Sequence, residues 1–349
     1  MANTKNDLRY QRRKRQLATV VLLVGLALVF LGAMEVVARL MGRQPYQAFP
    51  AKISVEPGSQ LFRTHPKLGY THLPGKFTVN LPSGHSFAVT HLTNTLRATH
   101  PADWPLVNRP AIWVMGGSYV YGWSLNDAET MPWQLQQRLA GYEVHNFGIN
   151  GYGTLHSLLQ FREFLPQMPK PACVVVDYAY FDDECNTLLR QRCKEVAIYS
   201  TLGPTTQPWA RLNKAGAVDI FLTPQEYQPW PGQGRSALIN VFEDRYCQWE
   251  DRWVHSQWVS VALLKQFAAE CKKQGIKFVV AGITPGHDNG VVLRACAMAQ
   301  IHTVDISVNL SAAGSRNVPH SDHPSARTQA EYARKLGDYL CAEVFKAQP

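Results

Sequence analysis

A serine hydroxyl becomes a nucleophile only when a neighbouring group takes its proton, so serine-based hydrolysis requires the serine and a base. Ser118 is the serine to start from. It follows the apolar run Ala111-Ile112-Trp113-Val114-Met115 and the pair Gly116-Gly117. A short apolar run ended by glycine predicts a buried strand and a tight turn. Glycine there lets the backbone bend sharply, leaving the hydroxyl exposed and nearby amides free to donate. By itself, Gly-Gly-Ser also describes a strand end or a helix cap. The base decides between these readings. Of twelve histidines, His323 stands in the segment His320–Ser325 just before the last predicted helix. An isolated Asp-His-Pro is a surface turn, but a serine and a histidine at one sheet edge form a pair suited to acyl transfer.

Such a pair needs elements to carry it. Strands are predicted at 111–115, 143–147, 173–180, 277–283 and 303–306. Helices are predicted at 127–140 (Asp127 as cap), 155–164, 259–273, 291–300 and 326–345. Strands alternating with helices imply a parallel sheet covered on both faces. Reactive groups in such sheets gather at the carboxyl ends of the strands. Segments 116–118, 146–153 and 181–183 stand there, and a fourth, 320–325, lies just before the last helix. The fold class expected is α/β, a three-layer αβα sandwich with a parallel, flavodoxin-like five-stranded sheet behind one N-terminal transmembrane helix. A loop-and-hairpin lead-in is expected over 44–109, a catalytic domain over 110–346, and a lid-like insertion at about 185–255.

The stretch GGSYVYGWSLNDAETMPWQL resembles the first block of SGNH (GDSL-like) hydrolases, in particular their membrane-anchored bacterial branch. NFGINGYGTLHSLLQ is similar to the second block and HPSARTQAEYARKL to the last, while LGYTHLPG and TNTLRATHP resemble the lead-in. The likeness spans about 66–340. It implies Ser118 as nucleophile and His323 as base. It also implies an oxyanion hole built from the amides of Ser118 and Gly151, with Gly148 as the second choice for the glycine. Two positions depart from the pattern. The third block normally reads Asn-Asp, the Asn donating to the oxyanion; here Phe181-Asp182-Asp183 puts Asp182 at the donor position unless the alignment slips. An ionised Asp only accepts, so Asp182 donates only if held protonated. The triad acid normally precedes the histidine by two or three residues; here Asp322 is adjacent to His323, with Asp305 as a further candidate orienter. Asp183 is either a structural acid tying down its loop or part of the site.

Composition bounds the rest. The chain has 349 residues and a formal charge of +9. Residues 1–15 hold six basic side chains against Asp7, so only +4 is spread over the remainder, a poor footprint for nucleic acid. Residues 17–34 follow without a charge, about 27 Å of helix and close to the thickness of a bilayer core. A basic tail (1–16) before an anchor (17–38) predicts a cytoplasmic N-terminus and a translocated remainder at a bacterial inner membrane. The competing reading is a cleaved signal peptide. No cysteine pair has metal-ligand spacing, so no metal or other cofactor is expected, though Cys185 and Cys193 could close a short loop in an oxidising compartment. The expected partners are the membrane, an acylated carbohydrate or other ester substrate, and proteins of envelope assembly. Trp209, Trp230, Trp249, Trp253 and Trp258 suit sugar stacking or plain lid packing. The implied activity is ester hydrolysis. Acyl transfer to a sugar hydroxyl, or a catalytically impaired binding subunit, are the alternatives.

Overall fold

Runs of β-branched and aromatic residues build the centre of this chain. In the computed structural model, which describes residues 2–47, 53–105, 108–199, 202–203 and 205–345, the chain divides into two units. One comprises Met1–Ala48 and Gln228–Trp249; the other comprises Phe49–Tyr227 and Glu250–Pro349.

The larger unit begins with short strands β1 (Ser54–Glu56), β2 (Phe62–His65), β3 (Gly69–His72), β4 (Gly75–Asn80) and β5 (Ser86–His91). Strands β1, β4 and β5 pair antiparallel, and β2 pairs with β3. Phe77 and Val79 on β4 and Phe87 and Val89 on β5 alternate inward, as a half-buried sheet requires. The lead-in therefore has a small core of its own, which also takes in Tyr121. Positions 48–52 and 106–107 of the expected lead-in lie outside the described residues.

Then come β6 (Ala111–Met115), α1 (Ser118–Tyr121), α2 (Met131–Arg138), β7 (Glu143–Asn146), α3 (Thr154–Phe164) and β8 (Cys173–Tyr178). Next are α4 (Asp182–Thr187), α5 (Arg190–Tyr199) and the antiparallel hairpin β9 (Thr205–Leu212) and β10 (Val218–Gln225). After α6 (Ala237–Val254), the chain closes with α7 (Ser256–Lys273), β11 (Lys277–Gly282), α8 (His287–Met298), β12 (His302–Asp305) and α9 (Ala326–Tyr339). The five parallel strands lie in the order β12-β11-β8-β6-β7, the flavodoxin-like order, with its switch point between β6 and β8. Alternate residues feed opposite faces. Trp113, Met115, Val174, Val176 and Val280 pack under α3, α7 and α8; Ile112, Val114, Val175, Val279 and Ala281 pack under α2 and α9.

Three expectations change. The helix expected from Asp127 starts at Met131, with Pro132 in its first turn, after a separate 3-10 turn Asp127–Glu129. Asp127 is not its cap, because its carboxylate is taken by Arg97 at 2.9 Å. The insertion is not one irregular lid. It contains two helices and a hairpin in the larger unit, whereas 228–249 cluster with the N-terminal helix. The loop Cys185–Cys193 is not closed: all seven cysteines are free, and Cys193 Sγ lies 3.6 Å from the Leu188 carbonyl oxygen.

In the smaller unit a single helix runs from Ala2 to Leu40. Its stretch Tyr10–Leu40 is long and apolar enough to cross a bilayer, and its apolar side chains from Leu17 to Leu31 are largely exposed. Near its end Glu35 receives hydrogen bonds from Ser236 Oγ (2.7 Å) and from the Ala237 and Leu238 amides (3.0 and 2.8 Å). A carboxylate there satisfies donors that the first turn of α6 leaves open.

Candidate active site

Strand β6 delivers Ser118 to the sheet edge, and crowding explains the two glycines before it. A Cβ on Gly116 would lie 1.8 Å from Asp177 Oδ1; one on Gly117 would lie 2.7 Å from the Tyr152 carbonyl oxygen. Ser118 then opens the one-turn helix α1, which ends on Gly122 in the left-handed conformation. Buried Arg97 locks this turn. Its guanidinium donates to the carbonyls of Tyr121 (2.8 Å), Gly122 (2.9 Å) and Leu125 (2.6 Å) and pairs with Asp127.

His323 arrives from the opposite end of the chain. The loop before α9 is pinned where the Asn317 amide donates to the His323 carbonyl at 2.8 Å and Asn317 Nδ2 reaches the Ser124 carbonyl at 3.1 Å. Buried Gln329 on α9 accepts from the Met131 amide at 2.6 Å and donates to the Tyr119 carbonyl at 2.9 Å, tying α9 to the serine turn. The result is a contact between His323 Nε2 and Ser118 Oγ at 2.9 Å, across 205 positions of sequence. The Tyr119 ring meets the imidazole edge-on at 5.7 Å. Burial pushes the imidazole down to about 4, against the opposing pull of the Asp322 carboxylate. It is therefore neutral at pH 7, as a general base must be.

The other candidates are placed differently. Asp322, expected on the imidazole, is 84% exposed and pairs with Arg316 at 3.1 Å. Adjacent side chains diverge in this turn, and the atom nearest His323 Nδ1 is Ser321 Oγ at 2.9 Å. Asp305 stays local, accepting from the Ser307 amide at 2.9 Å and from Asn289 Nδ2 at 3.3 Å. Asp183 is a structural acid: it accepts from Ser260 Oγ at 2.5 Å and Tyr178 Oη at 3.1 Å, and burial pushes it up to about 7.

Asp182, expected at the donor position, makes no hydrogen bond with Ser118 among the described residues. Its carboxyl is buried, with Oδ2 on the Ala179 amide at 2.8 Å. Burial and the neighbouring Asp177 carboxyl push it well up; Asp177 itself is pushed up to about 7, chiefly by burial. The preceding residue, Phe181, packs edge-on against Tyr119 at 5.2 Å and so points toward the site.

The two glycines separate cleanly. The Gly148 amide is used by Asn146 Oδ1 at 2.9 Å, and a Cβ on Gly148 would lie 2.2 Å from the Tyr121 nitrogen. Its role is close packing against α1. Gly151, with φ +78°, is held through its carbonyl by Arg192 at 2.6 Å, and Tyr70 Oη donates to the Asn150 carbonyl at 2.6 Å. Among the described residues neither the Gly151 nor the Ser118 amide has an acceptor. An amide left without an acceptor can serve an anion that forms only during reaction. Among the described residues no cluster of metal-ligating side chains occurs. In the insertion, Trp209 stacks on Phe221 at 4.3 Å and Trp230 meets Tyr246 at 5.6 Å, while Trp249, Trp253 and Trp258 are exposed.

Ser321, Arg97, Gln329 and Asp177 escaped the sequence reading. Ser321 had one visible signal, its place two before the histidine. The other three act by contacts that no local pattern encodes.

No protein-family profile and no curated protein matches the chain. Solved structures similar to it include a member of the lipolytic G-D-S-L family from Veillonella parvula (10% identity, 65% of this chain and 96% of that one, TM-score 0.38). A GDSL-like lipase from Bacteroides thetaiotaomicron is also similar (14%, 67% and 91%, TM-score 0.37). So is a mutant of the acetyl-xylooligosaccharide esterase Axe2 from Geobacillus (12%, 68% and 97%, TM-score 0.39). The chain is therefore similar, at low identity, to structures of the SGNH/GDSL class.

Proposed function

We propose that the protein is an SGNH-type serine ester hydrolase that removes O-acyl groups, acetyl foremost, from a cell-envelope carbohydrate. The Ser118 Oγ–His323 Nε2 contact at 2.9 Å, at the carboxyl end of β6, carries this reading. Nε2 takes the hydroxyl proton as Oγ attacks the ester carbonyl carbon. The Ser118 and Gly151 amides donate to the oxygen that becomes negative. Collapse expels the alcohol, which takes the proton back from the imidazolium. Water, deprotonated by His323, then attacks the acyl-serine and frees the acid.

Location follows from the N-terminal helix. Its basic head and apolar span support a single-pass anchor at a bacterial inner membrane, with the hydrolase outside; envelope-assembly proteins are then within reach as partners. A second reading, a binding or scaffold subunit, is favoured by a serine, not a carboxylate, on the imidazole. Labelling with a serine-reactive fluorophosphonate separates the two. The hydrolase reading expects wild type to label and Ser118→Ala not to; folded but unlabelled wild type would favour the scaffold. Acetate released from isolated envelope glycans then identifies water as the acceptor. Transfer of the acetyl to an added saccharide without net release would instead mark an acyltransferase.

A further inference from the structure

The orienting group on a catalytic histidine has two tasks: to fix which ring nitrogen carries the proton, and to favour the imidazolium once it forms. Here, among the described residues, no carboxylate is hydrogen-bonded to the ring. Among the described residues the partner of His323 Nδ1 is Ser321 Oγ, at 2.9 Å. We infer that Ser321 is the positioning residue of the Ser118–His323 pair, selecting the Nδ1–H tautomer with a neutral hydroxyl in place of the usual acid.

The hydrogen-bond capacity of Ser321 admits this tautomer, and proton removal from Ser118 requires it. A serine oxygen has two acceptor sites and one O–H donor. Ser321 Oγ accepts from the His323 backbone amide at 3.3 Å. Its second acceptor site can take an Nδ1–H donated across the 2.9 Å contact. If Nδ1–H donates there, both acceptor sites are filled and the Ser321 O–H stays free for solvent. Nε2 is then left with its lone pair toward the Ser118 hydroxyl at 2.9 Å. The opposite tautomer would set Nε2–H against a hydroxyl that has to lose its proton, and attack would stall.

Ser321 is itself held in register. Its backbone amide and that of His320 both donate to the Asn317 carbonyl at 2.9 Å, and the Asn317 amide returns to the His323 carbonyl at 2.8 Å. The turn is closed on both sides of the imidazole. What the hydroxyl lacks is charge. It orients the ring as a carboxylate would, yet stabilises the transient imidazolium only as a dipole. Asp322, the nearest acid in sequence, is committed to Arg316 at the surface and acts on the ring only at a distance. The arrangement is a weak base in a correct pose.

This inference rests on the Ser118–His323 reading above, and its test keeps the two apart. The full-length protein and its Ser321→Ala, Ser321→Thr and Ser321→Asp variants are compared in two measurements. The first is the fluorophosphonate labelling rate of Ser118 from pH 4 to 9. The second is long-range 15N NMR of the His323 imidazole, assigned by its loss in His323→Gln. Ser321→Ala is expected to slow labelling by at least about tenfold, within the roughly 10⁴-fold loss that a wrong tautomer brings. It should also mix the two neutral tautomers in the 15N spectrum. Ser321→Thr, which keeps a hydroxyl, restores both. Ser321→Asp raises the pH midpoint of labelling, because a carboxylate favours the imidazolium. Wild-type rate, midpoint and tautomer in Ser321→Ala would overturn the role of Ser321. If no form labels at any pH, the hydrolase reading falls; the 15N tautomers of wild type and Ser321→Ala still decide whether Ser321 orients the ring.

Discussion

At the scale of single residues, charge and crowding make separate demands on the site. Burial holds His323 down to about 4, so the base is neutral over the whole range above that. The kcat/KM for a small ester such as p-nitrophenyl acetate is therefore expected to rise with pH through about 4 and to stay level up to neutrality. A limb centred near the ordinary imidazole value would show that His323 is not buried as described. Crowding governs Gly148. A methyl there meets the backbone of Val120 and Tyr121, which cannot yield without moving the serine turn. Gly148→Ala is expected to cost about 1–3 kcal/mol of stability and to lower Ser118 labelling with it. Urea denaturation and labelling of one preparation measure both.

Arg97 belongs to the scale of elements. It comes from the lead-in, yet its guanidinium satisfies three carbonyls and one carboxylate on the stretch that follows Ser118. Removing it leaves those carbonyls without this donor and Asp127 with the Thr90 amide but no counter-charge from Arg97. Arg97→Met is expected to destabilise the protein by about 3–5 kcal/mol, the range for breaking a buried charged pair from one side. A fall in the urea midpoint at unchanged slope is the signature; no fall would mean that the turn holds itself. The N-terminal helix makes a second such contact. Glu35 supplies acceptors to the first turn of α6, so Glu35→Ala is expected to speed hydrogen exchange at the Ala237 and Leu238 amides. Exchange elsewhere in the chain serves as the internal reference.

At the scale of the whole molecule, the buried carboxyls set how stability depends on pH. Burial pushes Asp177, Asp183 and Glu184 up to about 7, and Asp182 well up as well. Each binds its proton more tightly folded than unfolded. The stability so contributed is complete below the unfolded value and is lost as pH rises through the folded one. Buried His72, His91, His145, His156 and His323 are pushed down and act the other way, but only below the ordinary imidazole range. The melting temperature is accordingly expected to fall from pH 6.5 to 8, with a shallower fall in Asp177→Asn. A melting temperature that rises over that interval would contradict the burial of these acids.

What the sequence determined by itself was whatever local pattern encodes. Apolar runs and glycine stops marked the five strands of the parallel sheet to within two residues at each end, because burial on both faces leaves an unbroken hydrophobic signature. The 17–34 run marked a helix long enough for a bilayer for the same reason. Helix starts were less legible where a side chain had a distant partner: Asp127 looked like a cap and serves Arg97 instead. The insertion hid α6 and its hairpin, since aromatic and charged residues there mix without one dominant period. Ser118 and His323, which meet in the structure, could be singled out because strand ends and helix starts are sequence features. Their supporting groups could not. Whether Asp322 or Ser321 meets the imidazole depends on which side chain a turn directs inward. Whether Asp182 turns back onto the Ala179 amide depends on the turn at the end of β8. Those choices are made by backbone direction and close packing between segments as much as 205 positions apart, and only the tertiary structure decides them.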